Sequence, residues 1–223
     1  MGQIISVGLF EDSVAEPTFS EINELVIRIM EAGNVQVTSL GFPEDVNSER
    51  DMTGEFDLAL ELAMENIRVF EEHDFDYIVN TIGGPGTSLK EYDKLFVPGT
   101  VWYKRAKHFT ERVRDISEIM KMAQLEFKHE VGRTAVYQSP DQLSDMVKVF
   151  DEPVKILKQI PGLDYIETKH EESRAKPDLV ITSHPVLRTR IRTDLNLDGK
   201  NEPIEVKHIV EVVAESCGIA SNQ

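Results

Sequence analysis

The chain has almost no sulfur chemistry to offer: one cysteine, Cys217, in 223 residues. That excludes an intrachain disulfide framework and any thiolate metal set within one chain, and points to a reducing, cytoplasmic setting. Positive charge is also scarce. Lys and Arg number 24 against 40 Asp and Glu, a formal charge of −16. A surface so negative repels nucleic-acid phosphates and anionic lipid, so neither nucleic acid nor a membrane is the expected partner. Long apolar runs are missing, with nothing near the roughly 18 residues of a membrane span. Nor does the amino terminus carry a basic region followed by an apolar one. The opening Met1-Gly2-Gln3-Ile4-Ile5-Ser6 fits a myristoylation pattern formally, but Ile4, Ile5 and Val7 read better as a buried first strand.

What is present is a regular alternation of short apolar runs and amphipathic stretches. Ile4 to Phe10 reads as a strand. Ser20 to Ala32 places Ile22, Leu25, Val26 and Ile29 at helical spacing, and Gly33 and Asn34 supply the stop. Val35 to Leu40 is a second strand, and Phe56 to Glu72 a second helix. Asp76 to Ile82 is continuously apolar, as in a parallel sheet covered on both faces. It runs into Gly83-Gly84-Pro85-Gly86, after which a helix starts near Thr87. A long amphipathic segment covers about Val101 to Phe127, and the pattern does not decide whether it is interrupted. Ala135 to Tyr137 opens a further strand, followed by helical spacing over Met146 to Gln159.

The cycle repeats. Asp76 to Thr81 is echoed by Asp178 to Ser183, and Asp115 to Met120 by His208 to Val213. These echoes predict an α/β fold of two similar small parallel-sheet halves with flanking helices, a duplication, with residues 1–130 as the first half and 131–223 as the second, shortened one.

The most specific local feature is the turn Gly83, Gly84, Pro85, Gly86, Thr87 and Ser88. Glycines let a ligand approach the backbone, and a new helix presents unpaired N–H groups there. The spacing matches neither the P-loop nor the dinucleotide fingerprint, and the bland alternative is a tight turn with Ser88 and Glu91 as a capping box. Six scattered histidines form no helical ligand pair, so no metal site is expected. A basic run of Lys104, Arg105, Lys107, His108, Arg112 and Arg114, with the later Arg188, Arg190 and Arg192, is either a set of solvated helix faces or a local anion or partner site. His184 and Arg188 fall after the carboxyl end of a strand, where α/β sheets bind ligands.

Taken in order, the stretches VGLFEDSV, FDLALELAMENIRVFE, DYIVNTIGGPGTSLKEYDKLF, WYKRA, VRDISEIM, VYQSPDQL, PVKILKQIPGLDYIE, DLVITSHPVLRTRI and EPIEVKHIVEVVAES make the chain similar to the CCG (cysteine-rich) domain proteins. That family includes the iron–sulfur protein A of lactate utilisation, the iron–sulfur subunit of glycolate oxidase and the cysteine-rich subunit of heterodisulfide reductase. The resemblance implies a cluster held by cysteines from both halves, moving electrons or cleaving a disulfide. Here Ser13, Pro85, Asp141, Gln142 and Leu187 (or its neighbour Val186) stand at the positions that the resemblance assigns to cluster ligands. The first Cys-Cys-Gly falls near Glu44 to Asn47, and the second is deleted. No cofactor is therefore expected, and in particular no iron–sulfur cluster. The implied role is that of an accessory, non-catalytic subunit associating with oxidoreductase subunits or with itself. The alternative is a small-anion-binding protein or enzyme using a cleft between the halves, lined by Gly83, Gly84, Gly86, Thr87, Ser88, His184 and Arg188.

Overall fold

The computed structural model describes residues 4–11, 17–41, 55–80, 88–138, 151–166, 177–197 and 204–219. In chain order these form β1 (Ile5–Glu11), α1 (Pro17–Ala32), β2 (Val35–Gly41), α2 (Glu55–His73), β3 (Tyr77–Asn80), a 3-10 helix (Ser88–Leu95), α3 (Val101–Thr110), β4 (Val113–Arg114) and α4 (Ile116–Met122). There follow β5 (Arg133–Tyr137), α5 (Asp151–Leu157), β6 (Leu163–Tyr165), β7 (Leu179–Thr182), α6 (Pro185–Leu197), β8 (Glu205–His208) and α7 (Ile209–Cys217).

The strands make two four-stranded sheets, ordered β2-β1-β3-β4 and β6-β5-β7-β8, and every pairing in both is parallel. The strand order is the same in both, so the fold is α/β with two similar halves. Equivalent aspartates start equivalent strands. Asp76 Oδ2 accepts from the Ser6 N–H at 2.9 Å, and Asp76 N–H donates back to the Ser6 carbonyl. Asp178 Oδ1 accepts from the Thr134 N–H at 3.1 Å, and Asp178 N–H donates to the Thr134 carbonyl.

Two compact units result. One comprises Met1–Ala15 and Val35–Ile116, the other Glu16–Asn34 and Ser117–Gln223. The first unit has an aromatic core: Phe109 is fully buried, edge-on to Phe10 and Phe70 and stacked on Tyr92 at 5.4 Å. The second is aliphatic, with Ile156, Leu157, Leu179, Ile181, Val206 and Ile209 buried. Helix α1, contributed to this unit by an early stretch of chain, buries Ile22, Leu25, Val26 and Ile29, the stripe that its sequence spacing predicts, and packs on α7. Its stop is as expected, with the Gly33 N–H closing on Ile29 and Met30 carbonyls and Asn34 in the left-handed region at φ 61°.

The segment from Val101 to Phe127 is interrupted. α3 is capped by Thr100, whose hydroxyl accepts from the Tyr103 N–H. After Thr110 the chain turns, because β-branched Val113 is buried beside Ile78 as β4 and the Arg112 carbonyl takes the Ile78 N–H. Two residues of strand thus outweigh a continuous helical period. The helix expected from Thr87 is a 3-10 helix, in which Glu91 pairs with Lys94. In the helix expected over Met146 to Gln159, α5 begins at Asp151, and residues 139–150 lie outside the described residues.

Candidate functional site

In the second unit, four buried strand residues, Leu179 to Thr182, lead straight into Ser183 and His184 and then into α6. The turn is fixed locally. The His184 N–H donates to Thr182 Oγ1, His184 Nδ1 accepts from the Leu187 N–H, and the His184 carbonyl accepts from the Arg188 N–H. Pro185 occupies the first helical position, where its missing N–H costs nothing. His184, expected to meet a ligand, thus caps α6.

Arg188 turns inward. Its residue exposure is 7%, and Nη2 donates to Glu211 Oε1 at 3.0 Å, while Nε and Nη1 have no hydrogen-bond partner. Burial lowers its pKa, opposed by Glu211 and reinforced by Arg192, with Glu21 opposing more weakly. Glu211 has a second duty, since Oε2 accepts from the His208 N–H in the capping box of α7.

His208, at the carboxyl end of β8 and paired in register with Thr182, is fully buried. Its Nδ1 accepts from the Val210 N–H at 3.3 Å, so the neutral ring carries its proton on Nε2. Burial lowers its pKa to about 4; the Ser183 backbone pulls upward, and Arg188 and His184 push further down. Although the Ser183 backbone is close, no atom meets hydrogen-bond geometry with Nε2. Nearby, Tyr137 at the end of β5 donates its hydroxyl proton to Ser183 Oγ at 2.8 Å. Tyr137, Thr182, Ser183, Arg188 and His208 are all at least nine-tenths buried.

Of the residues singled out from sequence, the structure brings His184 and Arg188 together in this unit. Leu187 beside them is buried and aliphatic. Ser88 opens the 3-10 helix. Gly83, Gly84, Pro85, Gly86, Thr87, Ser13, Asp141 and Gln142 lie outside the described residues. Sequence reasoning did not single out His208, Glu211 or Tyr137 for the site. The echo that aligns His208 with Asp115, each directly before a helix, held the signal: a polar residue opening an apolar helix needs a buried role.

Lys104, Lys107 and His108 of the basic run are exposed, and its arginines serve packing. Arg105 lies over Trp102 at 3.8 Å and pairs with Glu71, Arg112 sits over Phe70, and Arg114 donates to the Glu111 and Val113 carbonyls. An iron–sulfur cluster does not fit the donor set. Leu187 offers no donor atom, and the one thiol, Cys217, ends α7 with its pKa raised by burial. Among the described residues no three His, Cys, Asp or Glu side chains converge on a common point, and no helix is long and apolar enough to cross a membrane.

No family model matches the chain. It is 20% identical over 243 residues to the probable glycolate oxidase iron–sulfur subunit of Bacillus subtilis (strain 168), covering 95% of this chain and 55% of that protein. It is 29% identical over 162 residues to an uncharacterized iron–sulfur protein of Methanococcus maripaludis, covering 72% of this chain and 30% of that one. Lactate utilization protein A 2 of Bacillus cereus (strain Q1) is 26% identical over 169 residues, with 73% and 68% covered. The chain thus spans about half the length of the first of these relatives and under a third of the second. Among solved structures, Acinetobacter baumannii MurG aligns at a TM-score of 0.30 and 9% identity over 97% of this chain and 91% of that one, a level that fixes neither fold nor function. The resemblance carried by the motifs is shown by these likenesses: the chain is a relative of proteins named glycolate oxidase iron–sulfur subunit and lactate utilization protein A.

Proposed function

We propose that the chain is a cluster-less CCG-domain protein, a non-catalytic or accessory subunit of an oxidoreductase complex of the heterodisulfide-reductase, lactate-oxidation or glycolate-oxidation kind. The observation that carries this is a likeness spanning 95% of the chain to a protein named as an iron–sulfur subunit, in a sequence with one cysteine. A scaffold inherited without its sulfur ligands keeps its surfaces for assembly and loses the means to hold the cluster. Buried Leu187 at one such position favours the same reading, because an aliphatic side chain fills space there and donates nothing. On this reading residues 1–130 and 131–223 are the two CCG-like halves, the protein works in the cytoplasm, and its partners are redox subunits or a second copy of itself.

The test is anaerobic purification of the full chain from its native host under mild conditions. The expected result is a colourless chain that co-purifies with flavin- or iron–sulfur-containing subunits and carries no iron or sulfide of its own once separated from them. Stoichiometric iron and acid-labile sulfide on the separated chain would overturn the cluster-less part. A chain that elutes alone, at monomer size, would overturn the accessory part.

A further inference from the structure

We propose that the second unit binds a small anion, an inorganic oxyanion or the carboxylate head of a small acid, at Arg188 and His208 beside the carboxyl ends of β7 and β8. The site uses no residue outside that unit, and it does not depend on the accessory reading above.

Three buried donor atoms carry the inference. Arg188 Nε and Nη1 and His208 Nε2 are each shut off from solvent, with no acceptor in hydrogen-bond geometry. Leaving a buried donor unpaired costs about 1–3 kcal/mol, more when it is charged, and native interiors avoid it. Elsewhere among the described residues the unpaired buried side-chain atoms are the amide oxygens of Asn23 and Asn66, one acceptor each. Here all three are donors, and they belong to neighbouring residues: Arg188 Nη2 and the His208 N–H bind the two oxygens of one carboxylate, Glu211, and the Arg188 charge acts on the His208 ring.

The charge balance selects an anion over a water molecule. Arg188 is permanently cationic. Its one hydrogen-bonded counter-charge, Glu211, is shared with the α7 amino terminus through the His208 N–H. Arg192 adds positive charge on the same helix, and Glu21 on α1 offsets part of it from a greater remove. A guanidinium so deeply buried and only partly neutralised is costly by itself, and an acceptor carrying negative charge satisfies its free donors and its charge at once. Burial also sets the size. With Arg188 at 7% exposure and His208 at none, the proposed ligand is a small ion or an acid's head group and not a large body.

Calorimetric titration of the full-length protein, in a zwitterionic buffer without added halide, tests this with sodium acetate and sodium sulfate as separate probes. The expected result is a saturable isotherm with one site per chain for at least one probe. Acetate alone points to a carboxylic acid, and sulfate alone to an inorganic oxyanion. Arg188→Met should abolish the isotherm, while Arg190→Met, at an exposed position on the same helix, should leave it unchanged. If Arg188→Met does not fold, Arg188→Lys decides: it keeps the charge but not the fork of donors, so affinity should fall about tenfold. No saturable isotherm with either probe would overturn the proposal. So would binding that survives Arg188→Met or keeps wild-type affinity in Arg188→Lys.

Discussion

The two units solve the same topological problem with different interiors. In the first, aromatic rings fill the space against the sheet, with Phe10, Phe70, Phe75, Tyr92, Phe96 and Phe109 all buried. In the second, small branched aliphatics do so, and the buried polar groups gather there: among the described residues Asn66 is the one buried polar residue of the first unit. The aligned echoes locate the divergence. At the amino ends of the central strands Asp76 and Asp178 make the same latch, whereas before the closing helices Asp115, half buried, corresponds to His208, fully buried. Amino ends of parallel strands carry stability, and carboxyl ends are free to diverge toward binding. Four of the buried polar residues of the second unit, Thr182, Ser183, Arg188 and His208, lie at or just after the carboxyl ends of β7 and β8.

The largest expected effect breaks the aromatic interior. Phe109→Ala removes a side chain that meets Phe10, Phe70 and Tyr92 within 6 Å of ring-centre distance, and should cost about 3–5 kcal/mol. Trp102, the single tryptophan, lies in that unit, so urea unfolding followed by its fluorescence reports the loss directly. A loss below about 1 kcal/mol would show that the rings are not a packed core.

The next effect belongs to the second unit and depends on pH. The folded His208 ring takes its proton near pH 4, against 6.5 for an ordinary histidine. Between those values the unfolded chain binds more protons than the folded one, so stability rises with pH through this window. The contribution of a neutral His208 is whole above about pH 6.5 and is lost as pH falls toward 4, for a total on the order of 3 kcal/mol. His208→Asn retains a side-chain acceptor for the α7 cap and should flatten the slope. Urea unfolding of both proteins at pH 5 and pH 7 measures it. Equal slopes would mean that the ring is not held neutral, and would remove the contrast with Asp115.

These contrasts were partly legible in the chain itself. Apolar spacing placed β1, β2, β3, α1 and α2 to within a few residues, because each buries a continuous run or a single stripe. The two echoes aligned the halves, and the structure pairs their aspartates with equivalent backbone groups. β4 was not legible: two residues, Val113 and Arg114, bear no period, and only pairing with β3 makes them a strand. The buried polar cluster proposed as an anion site was half legible. Arg188 stood out by its place after an apolar strand. His208 did not, because its role depends on burial and on a register with Thr182 that no local pattern encodes. His184, expected from sequence at a ligand, has its Nδ1 engaged by the Leu187 N–H, a local contact that the sequence pattern does not show.

A volume exchange between the halves gives a third test. Gly8 in β1 leaves room for Phe75: a Cβ built on Gly8 would come within 2.8 Å of that ring. The corresponding positions in the second half are Val136 and Pro177, so a side chain on the strand replaces the ring on the loop. Gly8→Ala should therefore cost about 1–3 kcal/mol by overpacking, and Phe75→Leu in the same chain should recover part of it. Denaturant midpoints of the two single variants and the double give the coupling. Strict additivity would show that Gly8 is not there to accommodate Phe75.

The smallest expected effect tests the equivalence on which the comparison stands. Asp76 Oδ2 accepts from both the Ser6 N–H and, at 3.0 Å, the Ser6 hydroxyl; Asp178 Oδ1 accepts from the Thr134 N–H. Both carboxylates are exposed, so each contact contributes in competition with water, about 0.5–1.5 kcal/mol per hydrogen bond. Asp76→Ala and Asp178→Ala should each lose about that much, with Asp76 slightly the larger because of the extra hydroxyl. Asn at either place keeps an oxygen acceptor and should restore most of the loss. The latches share no partner, so the double alanine variant should show the sum of the two losses to within about 0.5 kcal/mol. Amide exchange at Ser6 and Thr134 reads each latch separately, with faster exchange confined to the mutated half. If Asp178→Ala proved silent while Asp76→Ala did not, the two aspartates would not be doing the same job. Their alignment would then be a coincidence of apolar strands, and with it would go the pairing of Asp115 with His208.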